Sequence, residues 1–183
     1  INEVVIHGIP SSKQILKDGD IISIDIGANY KGYHGDCART WPCGNVKSDR
    51  LKLIEVTEQS FFEGLKYAHP GNRLSDISHA IEMYAKKFNY GVVRDFTGHG
   101  VGSKLHEDPA VPNYGKEGMG PVLRKGMTLA IEPMINMGTY KVKILADGWT
   151  TITSDHSPSA HYENSIVITD NGYEILTKIK END

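Results

Sequence analysis

Cysteine is scarce. Only Cys37 and Cys43 occur in 183 residues, too few for a disulfide framework, so a reducing compartment, the cytoplasm, is the simpler expectation. No apolar run reaches the length that spans a bilayer. Positive charge is not in excess: the formal net charge is -3. With no basic surplus a row of phosphates would go unneutralised, which argues against a nucleic-acid partner. Low-complexity tracts, short repeats and linker-like stretches are absent, so residues 1–183 read as a single domain, a size at which a real core can form. A leader is lacking too. The chain opens Ile1-Asn2-Glu3-Val4-Val5-Ile6-His7, in the manner of a strand interior. This sets up the expectation that an upstream segment is missing, so the absence of a leader says little about location.

What is present reads as mixed secondary structure. Nineteen glycines predict many tight turns. Residues 8 to 20 are loop-like. A hairpin is expected from Ile21–Ala28 and Tyr33–Thr40, turning over Asn29 to Gly32. From Ser48, read as an N-cap, to about Ala68 the pattern is helical, with Leu51, Ile54, Phe61, Phe62 and Leu65 as the apolar stripe and Pro70-Gly71 as the stop. A second helix runs from an N-cap at Ser75 to about Asn89. Gly91 to Arg94 reads as a strand entering a Gly-rich loop, Gly98 to Gly102. Thereafter the chain is β: Met127 to Ile131, then a hairpin of Tyr162–Thr169 and Tyr173–Thr177 over Asp170-Asn171-Gly172. Strands with two adjacent helices predict an α+β domain with a mainly antiparallel sheet.

Five polar groups fall on or beside these strands. Asp25 sits among isoleucines, where a lone carboxylate is costly unless paired or bound to a cation. A turn centred between Tyr30 and Lys31 would place Asp36 directly across from it, and like charges so placed need a shared proton or a shared metal. His99 lies between glycines, which let backbone approach it closely. Glu132 follows the apolar Leu129-Ala130-Ile131, and Glu163 opens another apolar strand. Taken singly, each has an ordinary reading as a turn residue or a solvated strand face. Together they form an oxygen-rich set with one nitrogen and no thiolate. That set suits two divalent ions, Mn(II), Fe(II) or Co(II) before Zn(II), and such a centre activates water and polarises a carbonyl.

A long ordered run of residues carries a resemblance. The stretch Phe96-Thr97-Gly98-His99-Gly100-Val101-Gly102-Ser103-Lys104-Leu105-His106-Glu107-Asp108-Pro109-Ala110-Val111-Pro112-Asn113-Tyr114 resembles the signature of type I methionine aminopeptidases. Asn2 to Pro10, Gly19 to Asp25, His34-Gly35-Asp36 and Ile131-Glu132-Pro133 match in order as well. The resemblance implies the pita-bread fold shared with creatinase, two related α/β halves curving a sheet around a metal pair, incomplete here at the N-terminus. It implies removal of the initiator methionine from nascent polypeptides with a small second residue, by attack of a metal-activated hydroxide on the first peptide bond. Carried over residue by residue, Asp25 would bind one metal, Asp36 and Glu163 would bridge both, and His99 and Glu132 would complete the second. Glu132 would also relay the proton, His106 would stabilise the oxyanion, and His7 would contact the leaving-group backbone. Leu105 and Trp149 would border the substrate. The implied partners are nascent-chain N-termini met in transient ribosome association, with the enzyme acting as a monomer.

The match departs from the family in places. Members extend upstream of the stretch matching Asn2 to Pro10 and draw part of the methionine pocket from there. Leu105 stands where many have Phe, and Asn164 where His is common. Cys37, beside Asp36, reads as a buried free thiol. Two other readings stay open: an Xaa-Pro aminopeptidase or prolidase on the same fold and ligands, and a non-catalytic binding module, which would usually have lost ligands.

Overall fold

The computed structural model describes residues 1–178. Its largest element is a seven-stranded sheet in which every pairing is antiparallel. It starts at a long hairpin, β2 (Ile21–Tyr30) and β3 (Tyr33–Pro42). Next to β3 lies β12 (Glu163–Ile168), then β7 (Thr128–Ile131), β5 (Gly98–Gly100) and β6 (Glu107–Val111); β13 (Tyr173–Ile175) pairs with the far end of β12. Two three-stranded sheets complete the β structure. One joins β1 (Val4–Ile6), β10 (Thr151–Thr153) and β9 (Val142–Ile144); the other joins β11 (Ser159–His161), β8 (Met134–Asn136) and β4 (Gly91–Val92).

Two helices, α1 (Ser48–Leu65) and α2 (Leu74–Lys86), pack on one another and against the strands. Phe61, Leu65, Leu74, Ile77 and Ile81 meet Leu129, Ile131 and Ile166 of the large sheet. Leu53 and Ala85 meet Ile21, Val92, Ile135 and Ala160 on the other side. Removing these side chains from water, at roughly 2 kcal/mol each, is the main force holding helices to sheet. The predicted α+β class with a mainly antiparallel sheet therefore holds.

Several local expectations need correction. The hairpin turns over Lys31-Gly32, both at positive φ (51° and 85°), as a two-residue turn of the kind that matches strand twist. Asp25 thus faces Ala38 and Asp36 faces Gly27, two residues away from the expected register. Because side chains alternate with a period of two, this slip keeps both aspartates on one face and makes them diagonal neighbours. Asp25 is not buried among its isoleucines: β2 is an edge strand, and Ile24 and Ile26 stand 43% and 57% exposed. The caps fall earlier than the expected serines, at Lys47, one residue before Ser48, and at Arg73, two before Ser75; Asp76 accepts from the Arg73 N–H, the N3 half of a capping box. Leu51 faces solvent; Leu53 and Val56 take the core positions instead. The Gly98 to Gly102 segment is half strand rather than loop, since β5 pairs with both β6 and β7.

Candidate metal centre

The sheet order assembles the site. Asp25, Asp36, Glu163, Glu132 and His99 come from β2, β3, β12, the end of β7 and β5, which are consecutive neighbours in the sheet. Register puts them on one face. Glu163 pairs with Ala38, which also faces Asp25; Asn164 pairs with Ile131, which sets Glu163 level with Glu132; His99 pairs with Ala130, two residues before Glu132. The glycines flanking His99 are required sterically. A Cβ at Gly98 would collide with the Ala130 carbonyl oxygen and one at Gly100 with that of Asp108, so β5 fits between its neighbours only without those side chains.

One ligand atom each from Asp36, His99 and Glu163 lies within 4.8 Å of the others, and all three residues are buried. Glu132 joins them, its Oε1 3.6 Å from His99 Nε2, while Asp36 Oδ2 lies 3.8 Å from the same nitrogen. The tautomer of His99 follows from its surroundings. Nδ1 lies 2.8 Å from the Gly100 carbonyl oxygen, which can only accept, so Nδ1 carries a proton and Nε2 is the ring nitrogen turned toward the carboxylates. Asp25 stands at the open edge of the group and is exposed.

Electrostatics mark the cluster as unbalanced. Burial first, then repulsion from Glu132, Asp36 and Asp25, pushes the Glu163 carboxyl up to about 11. Burial and then Asp25 also raise Asp36. One Glu163 oxygen, Oε1, is buried with no hydrogen-bond partner. Among the described residues no lysine or arginine ion-pairs with Asp25, Asp36, Glu132 or Glu163. Hard oxygen donors in like-charged proximity, an orphaned carboxylate oxygen and an imidazole nitrogen fit a divalent cation, which supplies the missing positive charge.

The supports around these groups are specific. Ser165 Oγ accepts from the Asp36 N–H at 2.9 Å and donates to the Asp36 carbonyl at 3.0 Å, fixing that strand position. Arg39 donates to the Glu163 carbonyl and to Asn164 Oδ1, and stacks 4.0 Å over the Tyr162 ring. Asn164, the residue that departs from the family, is thus held by Arg39 and by the Thr177 hydroxyl, 2.9 Å away. Asn113 donates to the Glu132 carbonyl at 2.9 Å.

The remaining sequence candidates border the cluster. His106 is exposed, its ring centroid 4.3 Å from that of His99. Glu107 accepts from Ser103 Oγ and from the Lys104 N–H, which shapes the loop that presents Leu105 and His106. Leu105 covers Gly27, where an added Cβ would stand 3.2 Å from its Cδ1 and 3.7 Å from Asp36 Oδ1. His7, at positive φ, stacks on Trp149 (4.6 Å, 18°) and meets Phe96 edge-on at 5.7 Å. Desolvation by these neighbours outweighs Asp25 and Glu132 and holds the His7 pKa below its usual value. Asp147 accepts from the Trp149 and Thr150 N–H groups, fixing the tryptophan's loop. A cleft of about 740 Å³ on this side is lined by Ile6, His7, Leu16, Ile24 and Asp25, and by one residue that the reading of the sequence passed over, His161. It lies one residue outside the strand expected from Tyr162, at the end of β11, and only the meeting of β11 with the end of β7 brings it to Glu132.

Comparison with known proteins agrees with this geometry. The model of metallopeptidase family M24 matches residues 1–170. A methionine aminopeptidase of Clostridium acetobutylicum is 58% identical over 177 residues, covering 97% of this chain and 71% of that protein. The crystal structure of a methionine aminopeptidase from Thermotoga maritima superposes with a TM-score of 0.95 at 49% identity, over 97% of this chain and 72% of that one. A prolidase from Pyrococcus furiosus shares the fold more distantly, with a TM-score of 0.72 at 26% identity over 93% of this chain and 45% of that one. The chain belongs to metallopeptidase family M24, which sets its class as a metal-dependent peptidase of pita-bread fold. Within that family it stands with the methionine aminopeptidases.

Proposed function

We propose that this chain releases the N-terminal methionine of nascent polypeptides, with a small residue preferred in second position. The observation that carries the reading is the convergence of four carboxylates and one imidazole from five neighbouring strands onto one face, beside His7, His106 and Trp149. Asp25, Asp36, His99, Glu132 and Glu163 are the proposed holders of two divalent ions, with Mn(II), Fe(II) and Co(II) the best suited to the donor set. When bound, such ions lower the pKa of water and polarise the scissile carbonyl.

The chain's own groups do the rest. Glu132 takes the proton of the attacking water and passes it to the departing amine, so that water is added across the peptide bond. His106, exposed next to His99, donates to the carbonyl oxygen as charge builds on it. His7 is neutral at physiological pH because its pKa is lowered, and in that form it can donate to the substrate backbone without adding a charge. Trp149, 56% exposed, offers an aromatic face at the rim. Cytoplasmic action as a monomer, in transient contact with the ribosome, is the setting implied by the family; among the described residues no helix is long and apolar enough to cross a membrane.

A peptide panel tests the proposal. Met-Xaa-Met substrates with Xaa rising in size from Gly to Leu should be cleaved with falling kcat/KM, and an Xaa-Pro peptide should be poor. Cleavage of Xaa-Pro in preference to Met-Gly would instead assign the prolidase reading, which the distant fold likeness keeps in view.

A further inference from the structure

His161 ends β11, and its backbone is fixed from both sides. Thr40 Oγ1 accepts from the His161 N–H at 2.8 Å and donates to the His161 carbonyl at 2.9 Å. The side chain is 1% exposed, yet neither ring nitrogen has a hydrogen-bond partner. A buried polar group left unmade in this way costs about 1–3 kcal/mol, and in a functional fold it needs a reason. Glu132 Oε2 lies 3.5 Å from His161 Nε2.

Glu132 therefore lies between two imidazoles. Its Oε1 faces His99 Nε2, whose Nδ1 is committed to the Gly100 carbonyl. Its Oε2 faces His161, whose ring nitrogens have no hydrogen-bond partner among the described residues. A proton on Nε2 would give that nitrogen and Glu132 Oε2 a partner each. The gap needs to close only to about 3 Å for an ordinary N–H···O bond.

We infer that His161 is a positioning residue for Glu132, donating Nε2–H to Oε2 so that the other oxygen is held toward His99 and Asp36. The inference rests on the reading of this cluster as a metal centre with Glu132 as its proton relay. Supports of this kind set the orientation and basicity of a ligating carboxylate, and their loss typically costs about 10–100-fold in metal affinity or activity.

The test compares His161→Leu, His161→Met and His161→Gln with the unaltered chain and with Glu132→Gln. Co(II) binding is followed by calorimetry, Met-Gly-Met cleavage by steady-state kinetics, and the metal-free fold by thermal melting. The Leu and Met variants should lose about ten-fold or more in the weaker Co(II) binding event and in kcat, with KM for the peptide unchanged. Their metal-free melting temperature should be equal or higher, since an orphaned polar group has been replaced by an apolar one; a residue serving packing alone would lower it. Gln keeps an amide N–H donor of similar reach and should recover most of the loss. Two results overturn the inference while leaving the centre intact. One is Leu and Met variants with unaltered Co(II) affinity and kcat while Glu132→Gln loses turnover. The other is a Gln variant as impaired as Leu, which would make His161 a ligand in its own right. If Glu132→Gln also kept full turnover and Co(II) binding, the metal-centre reading would itself fail.

Discussion

Glu163 offers a way to observe the site without any substrate. Its carboxyl titrates near 4.5 in the unfolded chain and is pushed up to about 11 in the folded one, by burial and by three neighbouring carboxylates. A group whose folded pKa is raised gives its full support below the unfolded value and loses it as pH climbs toward the folded one. In metal-free protein the folded state therefore keeps a proton that the unfolded state has shed. Stability should fall by about 1.4 kcal/mol for each pH unit, or about 4 kcal/mol between roughly pH 5 and pH 8. Glu163→Gln removes the titration while keeping shape and polarity. It should be close to neutral at the acid end and stabilising by about 4 kcal/mol at the alkaline end, on the order of ten degrees in Tm for a chain of this size. Asp36, raised in the same sense, leaves the variant a smaller residual slope. Melts in chelator across this pH range provide the assay. Saturating divalent metal should flatten the slope of the unaltered chain, because the ion displaces the proton. Parallel pH profiles for the chain and its Gln variant would refute the reasoning, as would a variant less stable at alkaline pH.

Other outcomes follow from the surrounding contacts. Arg39→Ala frees the Glu163 carbonyl and Asn164 together and should weaken metal binding about ten-fold; Arg39→Lys should not rescue it, lacking the planar fork that reaches both and stacks on Tyr162. His106→Ala should lower kcat by about a hundred-fold with metal stoichiometry unchanged in calorimetry. Trp149→Ala uncovers His7 and should raise its pKa toward the ordinary histidine value, read by NMR titration, as KM rises; an unmoved His7 pKa would show that the stack does not desolvate it.

Much of this architecture was legible in the residues. The turn residues and β-branched runs located both hairpins, and the glycines around His99 announced close backbone approach. The face shared by Asp25 and Asp36 survived a wrong turn centre because a two-residue slip preserves strand parity. What stayed hidden depended on tertiary context. Among the described residues β2 is the outer strand of its sheet and Asp25 is exposed, which no local pattern states. Leu51 fits the helical period yet faces water, since α1 docks through Leu53, Val56 and Phe61. The serines expected as caps are the first residue of α1 and the second of α2, and Ser75 serves instead to tie α2 to Met119. The unpartnered state of His161 exists only once β11 is laid beside the strand end that carries Glu132.

The most direct test of the central claim is methionine release from Met-Gly-Met by this chain, with Co(II) or Mn(II) added and then removed by chelator. The account predicts release that appears with metal, vanishes with chelation, returns on reloading and drops about a hundred-fold or more in Glu132→Gln. Release that persists in chelator, or a Glu132→Gln variant with near-normal kcat at full metal occupancy, would contradict it.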